Sequence, residues 1–204
     1  MRKFSEYIGS QFGNPRGFVG KCCCFLMNRI NKAMYKRVVA DLDLNKQSCV
    51  LDVGYGNGYL IEKIYAKYAC NISGIDISED MQRSASDRNS QGIQTGKIHL
   101  TVGNCCDLNF GNEMFDAVTS VNTIYFWEDT LKGLSEIYRV LKTDGVFYNA
   151  VYTTEWLQKL SYTRKGFQFF EKEDLILRGK KAGFSEIAIT EIAYGKSYMV
   201  QYRK

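Results

Sequence analysis

The sequence predicts an α/β fold: a mostly parallel sheet with helices on both faces, finished by an antiparallel hairpin. Three observations predict it. Short apolar strand patterns alternate with amphipathic helical patterns through the middle of the chain. One strand-to-helix junction carries glycines at alternate positions, Gly54, Gly56 and Gly58. Two strand patterns near the C-terminus, residues 185–192 and 196–202, are joined tightly at Ala193-Tyr194-Gly195, which calls for an antiparallel pair.

The elements follow in order. Residues 1–21 combine Gly9, Gly13, Pro15, Gly17 and Gly20 with Phe4, Tyr7, Phe12 and Phe18, the composition of an irregular but sticky arm. Residues 22–41 place Cys23, Met27, Ile30, Met34 and Val38 three and four apart, which predicts an amphipathic helix. A polar connection then leads into Cys49–Val53, apolar except for Asp52, which suits an inner parallel strand. Leu60, Ile61, Ile64 and Tyr68 give the next helix its buried face. Residues 70–78 read as a second strand ending in Asp76, with Ser78 as N-cap of a helix whose first turn holds Glu79 and Asp80. Ile98, Leu100 and Val102 alternate as a third strand, and residues 115–121 form a fourth. Leu131, Leu134, Tyr138 and Leu141 share a helical face. Asp144-Gly145 reads as a turn into a fifth strand at residues 146–152. Residues 171–182 predict a helix capped by Gly183, and the hairpin makes seven strands in all. The one candidate boundary falls near residue 42, dividing an N-terminal cap (1–42) from the sheet domain (43–204).

Composition bounds the function. With 204 residues and 45% hydrophobic content, the chain can build one core. A net charge of +5 with scattered Lys and Arg disfavours a nucleic-acid partner, and no apolar run reaches membrane-spanning length. The apolar run at residues 22–27 is too short for a signal-peptide core, so the expectation is a cytoplasmic protein. Seven cysteines without a Cys-x-x-Cys spacing, and a single distant His99, predict no metal site and mostly buried free thiols.

The glycine turn carries the chemistry. A missing Cβ permits unusual φ and close backbone approach to a ligand, in the crevice where open α/β sheets bind nucleotide-like molecules. A P-loop would need Gly-Lys-Ser/Thr, but Tyr59-Leu60 follow Gly58. A dinucleotide fingerprint from Gly54 would need glycine at position 59, which is Tyr. The pattern present is Asp52-x-Gly54-x-Gly56-x-Gly58. An acid there is unfavourable beside a pyrophosphate and suitable beside a sulfonium and an α-amino group.

That pattern resembles the first motif of the class I S-adenosylmethionine (SAM)-dependent methyltransferases. Gly103-Asn104-Cys105-Cys106-Asp107-Leu108-Asn109-Phe110 is similar to the family's Gly-Asp-Ala-x-x-Leu-Pro-Phe, with Asn104 in place of the acid and Asn109 in place of the proline. Residues 115–127 resemble the fourth motif, and residues 139–147 the Arg-x-Leu-Lys-Pro-Gly-Gly turn, with Thr143-Asp144 replacing Pro-Gly. Phe12 to Gly17 and Met27 to Asn31 look like the cap segment of small bacterial members. The resemblance spans residues 48 to 152. It implies a Rossmann-like sheet that binds SAM and releases S-adenosylhomocysteine (SAH). The cofactor-binding residues it implies are Asp52, Gly54, Tyr55, Gly56, Asn57 and Gly58 at the turn, Asp76 on the ribose hydroxyls, and Ile77 on the adenine. Met81, Asn104, Cys105, Cys106 and Asn122 complete the set.

The acceptor is less constrained. A sulfonium is already an excellent leaving group, so alignment and exclusion of water are the enzyme's main tasks. His99 alternates with the apolar face of the third strand and reads as structural or exposed, which leaves an acceptor nucleophilic without help, such as a thiol, amine or carboxylate, or a tyrosine base. Tyr125, just after the fourth strand, is the first candidate, ahead of Tyr7, Tyr148, Tyr152 and Trp127. The aromatic content suits a small, partly apolar acceptor. Two other readings stand beside it: a SAM- or SAH-binding module without turnover, and a nicotinamide-dependent oxidoreductase. Metalloid methylation through Cys22, Cys23 and Cys24 is disfavoured, since consecutive residues on a helix diverge.

Overall fold

The computed structural model describes residues 26–204. The arm at residues 1–21, including Tyr7, and the cysteines Cys22 to Cys24 lie outside the described residues, as does most of the expected cap.

A helical turn spans residues 26–30 and α1 runs Lys32–Asp41. There follow β1 (Cys49–Val53), α2 (Tyr59–Tyr68), β2 (Asn71–Asp76), α3 (Glu79–Arg88), α4 (Ser90–Gln94), β3 (Ile98–Val102) and β4 (Phe115–Val121). The second half adds α5 (Thr130–Val140), β5 (Leu141–Tyr152), α6 (Thr154–Gln158), α7 (Lys172–Ala182), β6 (Glu186–Ala193) and β7 (Ser197–Arg203), with single 3-10 turns at Ile124–Phe126 and Ser161–Thr163. The seven-stranded sheet has the order β3-β2-β1-β4-β5-β7-β6. Five strands are parallel, and β7 enters antiparallel between β5 and β6. This is the seven-stranded Rossmann-like sheet with a terminal hairpin that the sequence pattern implied.

The central strand is apolar because both of its faces are covered: Val50 and Leu51 are fully buried, as are Ile61 and Ile64 of α2. At the other end of the sheet, Phe147 stacks on Tyr202 at 5.4 Å between ring centroids, and Gly179 of α7 lies against the Tyr202 ring. Sequence order reverses between β1 and β4, so their carboxyl ends open into a crevice. No helix among the described residues is long and apolar enough to cross a membrane.

Three local expectations need correction. The helix expected over residues 22–41 breaks at Asn31, and Ile30 is exposed while Met34 and Val38 are buried. The strand expected from Val146 begins at Leu141, and the presumed turn at Asp144-Gly145 is a bulge within it. Leu141 pairs with Phe115 but Val146 pairs with Ala117, so Lys142 to Gly145 project outward, with Asp144 at φ 63° and Lys142 bound to Asp116 at 2.8 Å. The stretch between β5 and α7, which carries no strong periodicity, holds α6 and a 3-10 turn. Ser78 caps α3 as expected, accepting from the Met81 amide, and His99 is exposed beside the Gly96 carbonyl.

Candidate functional site

A cleft of about 330 Å³ lies above the carboxyl ends of β1, β2 and β4, within the range of small-molecule sites. Its floor is the glycine turn. The Gly54 amide donates to the Ile75 carbonyl at 2.7 Å, stitching the end of β1 to β2, and the Gly58 amide closes the turn on Tyr55 at 2.9 Å. Gly54 has φ 73°, and a Cβ there would come within 2.3 Å of Thr123 Cγ2. Gly56 has φ 53° but nothing within 4 Å of such a Cβ. The first glycine lets the chain after β4 cross close over the turn. The second keeps the open side of the cleft clear for backbone approach by a ligand.

Asp76 ends β2 and is nearly buried. Its Oδ2 accepts the Gly56 amide at 2.8 Å and its Oδ1 the Ser78 amide at 2.9 Å. Burial raises its pKa, opposed by these amide donors. Asp52, 2% exposed, accepts the Thr119 hydroxyl at 2.7 Å. Burial pushes its carboxyl up to about 7, the Thr119 bond opposes the shift, and the charge of Asp76 adds to it. Ile77, 51% exposed, offers an apolar surface at the rim.

After β4 the chain turns sharply at Asn122, which takes φ 59°, a conformation that asparagine tolerates better than most residues. Thr123 then folds over Gly54, its hydroxyl beside Ser120 and accepting the Trp127 indole N–H at 3.1 Å. The helical turn at residues 26–30 and α1 supply the facing wall through Met27, Asn28, Asn31 and Tyr35. Asn28 donates to Asn57 across the cleft at 3.2 Å. Three carboxylates, Asp52, Asp76 and Glu128, line the cleft, and among the described residues no Lys, Arg or His does.

Ten residues of the sequence-derived set line this cleft: Asp52, Gly54, Tyr55, Gly56, Asn57, Asp76, Ile77, Asn104, Cys105 and Asn122. Four do not. Gly58 lies beneath α3, its carbonyl accepting from Asn89 at 3.1 Å. Met81 is fully buried behind Ser78. Cys106 is buried with its thiol on the Asp129 carbonyl at 3.2 Å. Tyr125 is also off the cleft: the 3-10 turn directs its side chain into the protein, where its hydroxyl donates to Asn122 Oδ1 at 3.1 Å and accepts the Tyr152 amide. Burial drives its pKa well above the usual phenol value, so it is poorly placed to lose a proton. Of the weaker candidates, Trp127 lines the cleft. Asn104 keeps the position expected for it, but its amide oxygen already accepts the Cys106 amide at 2.9 Å.

Asn31, Thr123 and Phe126 line the cleft although sequence reading did not single them out; the signals were the motif-like stretches that hold them, residues 27–31 and 115–127. Among the described residues no group of three potential ligands could hold a metal ion.

The residues fit a SAM-shaped ligand. Buried carboxylates suit hydroxyl and cationic partners, and the open face of Gly56 leaves room for a nucleoside. Comparison with known proteins agrees. Residues 51–149 match the model of a methyltransferase domain. An uncharacterized methyltransferase of Bacillus subtilis, YdaC, is 27% identical over 166 residues, covering 81% of this chain and 87% of the relative. A demethylmenaquinone methyltransferase of Bacteroides fragilis is 30% identical over 144 residues, covering 70% of this chain, which spans 59% of that enzyme's length. A SAM-dependent methyltransferase from Aquifex aeolicus shares the fold with a TM-score of 0.70 at 17% identity, covering 86% of this chain and 92% of that one. With its strand order, its Asp-x-Gly-x-Gly-x-Gly turn and these relatives, the chain belongs to the class I SAM-dependent methyltransferase superfamily.

Proposed function

We propose that the protein transfers a methyl group to a small, neutral or cationic, partly apolar acceptor. SAM, when bound, supplies a methyl group on a sulfonium that leaves as a neutral thioether. The chain's residues would hold the two reactants in line and exclude water. Asp76 would accept from the ribose hydroxyls with the lone pairs its amide partners leave open. Ile77, Asn104 and Cys105 would border the adenine. Asp52 would balance the positive charge of the methionine end. Phe126, Trp127, Tyr35 and Met27 would form the apolar side facing the acceptor, with the N-terminal segment 1–42 acting as a lid over both.

The observation that carries this reading is the cleft's charge: three carboxylates and, among the described residues, no basic side chain. Such a cleft attracts a sulfonium and repels anionic acceptors and pyrophosphates. Tyr125 takes the role of a positioning residue that fixes Asn122, since its hydroxyl is engaged away from the cleft.

Calorimetric titration with SAM, SAH and NAD in parallel tests the cofactor. Binding of SAM and SAH without NAD supports the reading, and binding of NAD alone overturns it. Small thiols, amines and phenols then form the acceptor screen, with demethylmenaquinone added because a relative is named for it. Methylation only of anionic acceptors would refute the assigned acceptor class.

A further inference from the structure

A directed chain of hydrogen bonds ends at the cleft. It starts from the Tyr152 backbone amide in β5, which can only donate, and does so to the Tyr125 hydroxyl oxygen. The Tyr125 proton therefore points onward, to Asn122 Oδ1 at 3.1 Å, closer than the Tyr152 carbonyl at 3.4 Å. With Asn122 Oδ1 accepting, its Nδ2 must donate. It reaches Asn31 Oδ1 at 3.0 Å and Met34 Sδ at 3.2 Å. Asn31 Oδ1 takes a second bond from the Tyr152 hydroxyl at 2.7 Å. The orientation of the Asn31 amide follows from the nearer of the two acceptors of the Tyr125 hydroxyl and from the Met34 sulfur facing Asn122 Nδ2.

The consequence is a spare donor. Asn31 is 2% exposed and lines the cleft. Its side chain makes no capping bond to α1. Only Asn31 Oδ1 is engaged by described residues, and Nδ2 is not among the sealed, unpartnered polar atoms, so its N–H groups face the cleft and are open to a ligand. A ligand oxygen reaching it would meet a donor whose direction the network already holds.

Position along the cleft says which oxygen. Asp76 and Ile77 close the end above β2, the side assigned to the nucleoside. Asn31 binds Asn122, whose neighbour Thr123 covers Gly54 above β1 and β4, at the opposite end. An amino-acid tail there carries a carboxylate, and a carboxylate needs donors. No Lys, Arg or His lines the described cleft. The amides of Gly54, Gly56 and Gly58 are already committed to Ile75, Asp76 and Tyr55. Asn28 Nδ2 donates to Asn57.

Resting on the SAM reading above, we infer that Asn31 holds the carboxylate of the cofactor's methionine end through its Nδ2, a neutral donor standing where a basic side chain would otherwise be needed. Asn122, Tyr125 and Tyr152 are its positioning residues.

The test uses Asn31→Asp, which keeps the oxygen that accepts from Asn122 and Tyr152 and turns the free donor into a second carboxylate oxygen. Binding of SAH and of 5′-methylthioadenosine, which lacks the amino-acid tail, is measured by calorimetry on the full chain, with thermal unfolding alongside. The expected result is a loss of SAH affinity on the order of tenfold or more with methylthioadenosine affinity unchanged. Asn31→Ser, which retains an acceptor oxygen but no amide, is expected to give the same selective loss on a smaller scale. Equal weakening of both ligands, or of neither, overturns the inference while leaving the SAM reading in place. If the unaltered protein binds neither nucleoside, both fall together.

Discussion

Replacing Gly54 with alanine tests how the turn and the segment after β4 fit together. Two costs add. At φ 73° an L-residue sits in the left-handed region, at about 1–2 kcal/mol. The new Cβ would also stand 2.3 Å from Thr123 Cγ2 and 2.9 Å from Thr123 Cβ, an overpacking that costs about 1–3 kcal/mol. The sum, about 2–5 kcal/mol, lowers Tm by roughly 4–20 °C at about 2–4 °C per kcal/mol for a chain of this size. The two terms separate in a double-mutant cycle with Thr123→Ser. Serine removes Cγ2 but keeps the hydroxyl that meets Ser120 and Trp127. The double variant should therefore recover part of the overpacking cost and none of the backbone strain, giving a favourable coupling of about 0.5–3 kcal/mol. Chemical denaturation of the four proteins measures it. A Gly54→Ala variant as stable as the parent, or strict additivity with Thr123→Ser, would show that Thr123 does not pack over the turn as described.

Asp52 makes the remaining predictions. Burial raises its carboxyl to about 7 in the folded protein from the ordinary aspartate value of 3.8, so between those values the folded state holds the proton that the unfolded state has lost. Stability from this group therefore falls as pH rises from about 4 to about 7, with a slope of at most about 1.4 kcal/mol per pH unit. Asp52→Asn should flatten that stretch of the pH–stability curve, and an unchanged slope would count against the shift. On the proposed reading the same ionisation would govern ligand preference. SAM carries one more positive charge than SAH, so the ratio of SAM to SAH affinity should rise on the order of tenfold through pH 7 and lose that rise in Asp52→Asn. A ratio independent of pH in the parent protein would contradict the placement of the sulfonium near Asp52.

Much of the fold was legible because local and global signals coincide. Val50, Leu51 and Val53 make β1 apolar apart from Asp52 since both faces of the strand are covered, and Asp76 lies where a strand pattern stops. The glycine turn was legible because a left-handed backbone calls for glycine at all three of its positions, whatever packs over them. What sequence could not give depends on phase and on distant partners. Within the 3-10 turn Ile124–Phe126, Tyr125 points inward and Phe126 lines the cleft, a difference of one residue that periodicity does not resolve. Asp144-Gly145 has the composition of a turn and forms a bulge because Asp116, far away in sequence, holds Lys142 outside the ladder. Asn31 looks like a surface residue until Asn122 and Tyr152, each about a hundred residues distant, are brought to it.

The arrangement of acids also bears on how the acceptor must behave. A carboxyl with a pKa near 7 would ordinarily be an attractive general base, and Asp52 is the one such group in the described cleft whose value is set there. Yet the role proposed for Asp52, a charge partner for a sulfonium, would remove it as a base. A cation bound beside it lowers the pKa that burial had raised, leaving a carboxylate too weak to take a proton from a thiol, amine or phenol at neutral pH. Tyr125 is committed to the Asn122 amide, and burial holds its proton on. His99 is exposed on β3, away from the crevice between β1 and β4. Asp52, Tyr125 and His99 are thus each unsuited to take a proton from the acceptor, and on the proposed reading the site works by alignment, charge and shelter. On the proposed reading, the acceptor that suits them reaches the site already nucleophilic and uncharged at the reacting atom, as a free amine does, or brings an ionisable group of its own.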